Sequence, residues 1–258
     1  MKIYIHTDLE GISGIDSGDS VPRDSDAYGE SCRRLMLDLN AAVAGAFDGG
    51  ADHVTVLDSH GGGGNFVLDM LDERAENDTR PNKRWWGTLD DSFDGTFFIG
   101  AHAMAGTMNG FLDHTQSSRN WYNYTINGRR YGELGQWAVV AGAFGVPMLM
   151  VAGDEAACAE AREFFAPVET AVVKRGVGRQ TAVTVPEEEA RQRIREAARR
   201  AVGLAGEARP LKPLCPMEVV LQLTRTDYCD DMARKEGVER VDARTVRKVT
   251  SDQLDILF

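Results

Sequence analysis

The sequence predicts an α/β fold: a doubly wound, mainly parallel sheet with a smaller α+β C-terminal unit. Short apolar runs of strand character alternate with segments of helical spacing through most of the 258 residues. The connections are long enough for right-handed crossovers. The pattern then changes near Arg209-Pro210 to Cys215-Pro216, which sets an α/β domain over 1–210 and a small unit over 211–258.

The elements follow in order. In Lys2 to His6, Ile3 and Ile5 alternate with Tyr4 and His6, the signature of a strand, and Asp8 and Glu10 stand just beyond it. Cys32, Leu35, Met36, Leu39, Val43, Ala46 and Phe47 recur at helical spacing, and Gly49-Gly50 closes that helix. His53 to His60 reads as the second strand, followed by the loop Gly61 to Gly64 and a short helix around Phe66 to Leu71. The four glycines lack a nucleotide-binding spacing and give room for backbone near a site. Gly95 to Ala101 is the third strand, and its end presents His102. Ala103 to Ser118 is a long loop carrying His114, and loops of that length tend to be functional. Asn127-Gly128 between Asn120–Ile126 and Arg129–Tyr131 is a hairpin signal. A helix follows over Glu133 to Phe144, then a strand over Pro147 to Gly153, with Asp154 as N-cap of a helix over Ala156 to Phe165. Val168 to Lys174 reads as a strand, and Glu187 to Leu204 as a helix whose early acids and late arginines suit the helix dipole. Glu218 to Thr224 and Arg244 to Val249 are strands of the small unit, with a short helix between them.

The formal net charge of −11 argues against nucleic acid or an anionic membrane as partner. No apolar run reaches the roughly 20 residues of a membrane-spanning helix, and no signal-peptide pattern opens the chain, so the expected location is the cytoplasm. Cys32, Cys158, Cys215 and Cys229 are scattered without a CxxC pair, and Cys32 and Cys158 fall at core positions of helices.

In an open α/β sheet, ligands bind outside the carboxyl ends of the strands. The first three strands end in Asp8 with Glu10, in Asp58 with His60, and in His102. Two carboxylates as close as Asp8 and Glu10 push one toward neutrality unless a cation lies between them. Oxygen and imidazole donors without thiolate suit zinc, manganese or a related ion. If Asp8 bridges two divalent ions, Asp8, Glu10 and His60 can hold one, and Asp8, His102 and Glu133 the other. Each ion then keeps an open position, and three carboxylates against two dications leave one positive charge to acidify a water. Each residue also has a plainer reading: His60 or His102 alone as a core-edge histidine, and Glu133 as a first-turn acid of its helix, which spacing alone favours. Asp58 either caps the glycine loop or orients a ligating histidine. His53 opens its strand at the far end and reads as structural, His6 shares the parity of Asp8, and His114 is free to serve as acid, base or oxyanion donor.

Thr7-Asp8-Leu9-Glu10-Gly11-Ile12-Ser13-Gly14, Leu57-Asp58-Ser59-His60 and Gly100-Ala101-His102-Ala103 resemble the D-aminopeptidase family of zinc metallopeptidases. The resemblance continues through His114-Thr115, Gly132-Glu133-Leu134-Gly135, Val146-Pro147, Gly153-Asp154, Gly237 to Val241 and Arg244 to Val246. It implies two zinc ions bridged by Asp8, with Glu10 and His60 on one and His102 and Glu133 on the other. It also implies His114 as the catalytic residue that is not a ligand. The implied activity is release of an N-terminal D-amino acid from a short peptide, by a decamer of two stacked five-membered rings. Gln136-Trp137 departs from the family pattern just after Glu133, so pocket shape and side-chain preference are open. Two rival readings remain: a two-metal phosphoesterase, with Arg119, Arg129 and Arg130 as the nearest candidate clamp, and a non-catalytic metal-binding assembly protein with Trp85-Trp86 as its interface.

Overall fold

The computed structural model describes residues 1–258. Its strands are β1 (Lys2–Thr7), β2 (His53–Asp58), β3 (Ala75–Asn77), β4 (Gly95–Ala101), β5 (Trp121–Ile126), β6 (Arg129–Arg130), β7 (Met148–Asp154), β8 (Glu169–Gly178), β9 (Thr181–Thr184), β10 (Met217–Leu223), β11 (Glu239–Arg240) and β12 (Thr245–Thr250). The helices are α1 (Tyr28–Asp48), α2 (Glu133–Ala143), α3 (Glu155–Phe165), α4 (Glu187–Val202) and α5 (Thr226–Met232). No helix is long and apolar enough to cross a membrane.

Seven strands form one sheet in the order β3-β2-β1-β4-β7-β8-β9, parallel except for the β8–β9 hairpin. The order reverses between β1 and β4, the switch point at which a doubly wound sheet opens a crevice. Strand alternation sorts the side chains. Ile3, Ile5, Val54, Val56, Phe97 and Ile99 point to one face, where α1 and α4 bury Leu39, Val43, Ile194 and Ala198 against them. Tyr4, Leu57, Phe98 and Ala101 point to the other, under α2 and α3. Strands covered on both faces are apolar at both parities, as a parallel sheet requires.

A second, antiparallel sheet runs β11-β12-β10-β5-β6. In it the hairpin at 121–130 pairs with β10 from beyond residue 210, Val219 opposite Ile126 and Leu221 opposite Tyr124. α2 lies between the two sheets. Leu134, Trp137 and Ala138 pack on the first, Val139 and Val140 on the second, and every residue from Leu134 to Gly142 is buried. A helix apolar all round belongs in such a layer.

The structure departs from expectation at short elements. The segment around Phe66–Leu71 makes one 3-10 turn, Leu68–Met70, and β3, β9 and β11 are strands of two to four residues that carry too little alternation to read. Asp154 caps α3 as expected, its Oδ1 accepting from the Ala157 amide at 2.6 Å.

Candidate active site

The strand register aligns the three strand ends. Thr7 is opposite Asp58 on one side and Ile99 on the other. Past Thr7 the chain turns across the end of β4: the Asp8 amide donates to Ile99 O and the Gly11 amide to Gly100 O, both at 2.8 Å. The backbones approach so closely that a Cβ on Gly100, whose φ is +82°, would lie 2.0 Å from Asp8 O, and one on Gly11 would lie 2.0 Å from Ala101 O. Two buried groups hold the turn from behind. Asp38 of α1 accepts from Ser13 N and Oγ at 2.7 and 2.6 Å, and Lys174 Nζ of β8 donates to Glu10 O at 2.9 Å. The loop carrying His114 is tied down by Asp154 Oδ2, which accepts from the Phe111 amide at 2.8 Å.

These constraints gather Asp8, Glu10, His60, His102, His114 and Glu133. His102 Nε2 lies 3.3 Å from Asp8 Oδ2 and 3.5 Å from Glu133 Oε1. His60 Nε2 is 3.4 Å from Glu10 Oε1, and His114 Nε2 is 3.5 Å from Glu133 Oε1 and 3.9 Å from Glu10 Oε1. The His102 and His114 rings stack at 4.0 Å and 7°. The donor atoms fall into two groups of metal-binding size, Asp8–Glu10–His60 and His102–His114–Glu133, each within 4.8 Å. In the second group His114 stands where ligand counting placed the bridging Asp8, although Asp8 also reaches His102.

All three histidines are held the same way. His102 Nδ1 lies 3.1 Å from Ala103 O, His114 Nδ1 2.7 Å from Leu112 O, and His60 Nδ1 3.1 Å from Asn65 Oδ1. A carbonyl oxygen can only accept, so Nδ1 carries the proton and the Nε2 lone pair faces the carboxylates, as in metal-ligating histidines. Glu10 Oε2 and His102 Nε2 are buried with no hydrogen-bond partner. Lone pairs facing carboxylate oxygens repel unless a cation lies between them, so the donor set fits divalent ions.

The charges agree. Burial, then the Glu10 carboxylate, push Asp8 up to about 7. Against the opposing effect of burial, the His102 and His114 imidazoles take Glu133 down to about 2. Burial and the neighbouring His102 lower His114, which keeps its imidazole neutral.

Asp58 is one step from the cluster: its carboxylate accepts from Asn65 N and Nδ2, both at 2.6 Å, and from Phe66 N at 2.9 Å, and Asn65 in turn orients His60. It thus anchors the glycine loop and supports His60 together. Asn65 was not legible beforehand; only the habit of Asn to bond its own loop could have drawn notice to it. His6 is packed between Phe98 and Trp137 at 4.4 and 4.3 Å, and burial takes it down to about 3. His53 is at the start of β2, beside Thr55 and Glu76.

A cavity of about 340 Å³ opens over the cluster, walled by His6, Trp85, Trp137 and Leu257 and also lined by Arg80 and Gln116. Trp137 is fully buried and donates from Nε1 to Thr96 Oγ1 at 2.9 Å. A second cavity, about 270 Å³, adjoins Glu10, His60 and His114 on the side of Arg23 and Arg179. Arg119, Arg129 and Arg130 line neither; they bond Tyr228, Glu163 and Asn123.

The comparisons with known proteins fit this site. A family profile described as D-aminopeptidase matches residues 1–257. A D-aminopeptidase of Bacillus subtilis (strain 168) is 35% identical over 233 residues, 88% of this chain and 82% of the relative. Among solved structures, the Zn-dependent D-aminopeptidase DppA from Bacillus subtilis, described as a self-compartmentalizing protease, superposes with a TM-score of 0.93 at 30% identity, covering 99% of this chain and 94% of that one. Sheet order, strand-end acids and whole-length likeness agree: this chain belongs to the D-aminopeptidase family.

Proposed function

We propose that this protein is a two-zinc aminopeptidase that hydrolyses the first amide bond of short peptides bearing an N-terminal D-amino acid. The observation that carries the reading is the partly buried cluster of three carboxylates and three Nδ1-anchored imidazoles at the switch point of the sheet. The zinc-dependent relative supports the choice of metal. Asp8, Glu10 and His60 would hold one ion, and Asp8, His102 and Glu133 the other. Such ions supply Lewis acidity toward the scissile carbonyl and a water acidified toward neutrality. His114 does the proton work: Nδ1 is fixed on Leu112 O, so the neutral ring offers its Nε2 lone pair to take a proton and deliver it to the leaving amine. Trp137, Trp85 and His6 form the wall against which the substrate side chain packs and exclude water from one flank. Likeness to a self-compartmentalizing protease supports a homo-oligomer; the decamer of two five-membered rings follows from the family resemblance alone, and the cytoplasmic location from the sequence expectation.

Metal analysis by mass spectrometry, paired with a screen of D- and L-dipeptides, tests the proposal: two zinc ions per chain and turnover of D-Ala-D-Ala are expected. His114→Ala should abolish turnover with both ions retained. Loss of an ion with activity would make His114 a ligand, as its place beside His102 and Glu133 allows. Turnover of phosphate esters instead of dipeptides would favour a phosphoesterase.

A further inference from the structure

The arginines around the cluster are not equivalent. Arg179 bridges Asp113 at 3.6 Å, and Arg23 reaches Gly63 O at 2.6 Å from the rim of the second cavity. Arg80 lines the cavity over the cluster, half-buried. Its Nη1 donates to Gly62 O at 2.9 Å and its Nη2 to Asp58 O, while Nε is buried without a partner. No carboxylate forms an ion pair with it, although the chain carries 40 acidic against 29 basic residues. A guanidinium offers five N–H donors in a fork matched to a carboxylate, and two are spent on carbonyls that fix where it stands. A partly desolvated cation without a counter-ion favours an anionic occupant.

Building on the aminopeptidase reading above, we propose that Arg80 receives the C-terminal carboxylate of the substrate, so that the cavity selects dipeptides with a free carboxyl end. The lengths agree. Arg80 bonds the carbonyl of Asp58, two residues before the proposed ligand His60, which places it within roughly 7 Å of that ligand's backbone. In a dipeptide the carboxylate lies one residue, about 3.8 Å, beyond the scissile carbonyl. Each further residue carries the carboxylate up to about 3.5 Å farther from the guanidinium.

The test compares D-Ala-D-Ala with its C-terminal amide in zinc-loaded wild type, Arg80→Met, Arg80→Lys and Arg23→Gln, with zinc content measured in each. The readout is the ratio of kcat/KM for acid over amide, in which a general loss from a disturbed glycine loop cancels. The wild-type ratio is expected at about 10- to 100-fold, the size of a lost charge-assisted contact. It should collapse toward one in Arg80→Met, recover partly in Arg80→Lys and persist in Arg23→Gln. A wild-type ratio near one overturns the assignment without any variant having to fold. Survival of the ratio in Arg80→Met, or its collapse in Arg23→Gln, also overturns it. Should wild type cleave neither compound, the aminopeptidase reading itself falls and this inference with it; cleavage of both at equal rates removes Arg80 alone.

Discussion

Asn65 is the residue on which the geometry of His60 turns, and its removal gives a sharp prediction. It is buried at 1% exposure, and its side chain makes four hydrogen bonds: from Tyr28 Oη (2.6 Å), with His60 Nδ1 (3.1 Å), and to Asp58 Oδ1 (2.6 Å) and His60 O (2.8 Å). Asn65→Leu keeps the volume and deletes all four. At about 1 kcal/mol net for each bond, the fold loses about 3–4 kcal/mol, which a protein of this size tolerates when ions are bound. The effect on metal is more specific. Without its acceptor the His60 ring is free to turn and to change tautomer, and losses of this kind cost about 10- to 100-fold in affinity. Competition with a chromogenic chelator should therefore show one of two zinc sites weakened by that factor and the other unchanged. Activity at limiting zinc should fall in parallel and return at excess zinc. If folded Asn65→Leu binds both ions within twofold of wild type, His60 is not a ligand held by Asn65, and the partition of ligands is wrong.

Glu160, on α3, is buried and raised by that burial to about 7 from an ordinary 4.5. Between those values the folded chain keeps a proton that the unfolded chain releases, so stability falls as pH rises through the window, by about 3 kcal/mol; Glu160→Gln should exceed wild type in urea midpoint at pH 8 and match it near pH 4. Trp137→Ala should cost about 3–5 kcal/mol in denaturant titration through the void it leaves. The milder Trp137→Phe enlarges the cavity and should raise kcat/KM for bulkier N-terminal residues relative to D-Ala. Chelation should lower Tm by about 5–10 °C, restored by zinc, because the ions bind only the folded arrangement of ligands.

Much of the site was legible because parallel strands announce where they end. In β1, β2 and β4 an apolar run stops abruptly at an ionisable residue, and shared direction puts Asp8, His60 and His102 at one rim. Ligand counting admitted Glu133, but spacing alone favoured the plainer reading: an acid at the first turn of a helix has a sufficient local use, and its meeting with His102 depends on where α2 is packed. Asn65 and Arg80 act through bonds to loop carbonyls and amides that no spacing encodes. The joining of β5 to β10 was not legible, because the pairing spans about 90 residues and is set by packing on α2 and not by local pattern.

The packing of α2 ties remote parts of the chain to the chemistry. Its Val139 and Val140 are gripped by strands from the last forty-odd residues, while its first residue is Glu133. With no wet side, this helix has no slack to absorb a shift in either layer above or below it. Changes in the tail's strands β10 and β12, which unlike Leu257 do not line the cavity, would thus be transmitted as a displacement of one carboxylate. A lineage altering that tail would be retuning a metal site from its outer wall.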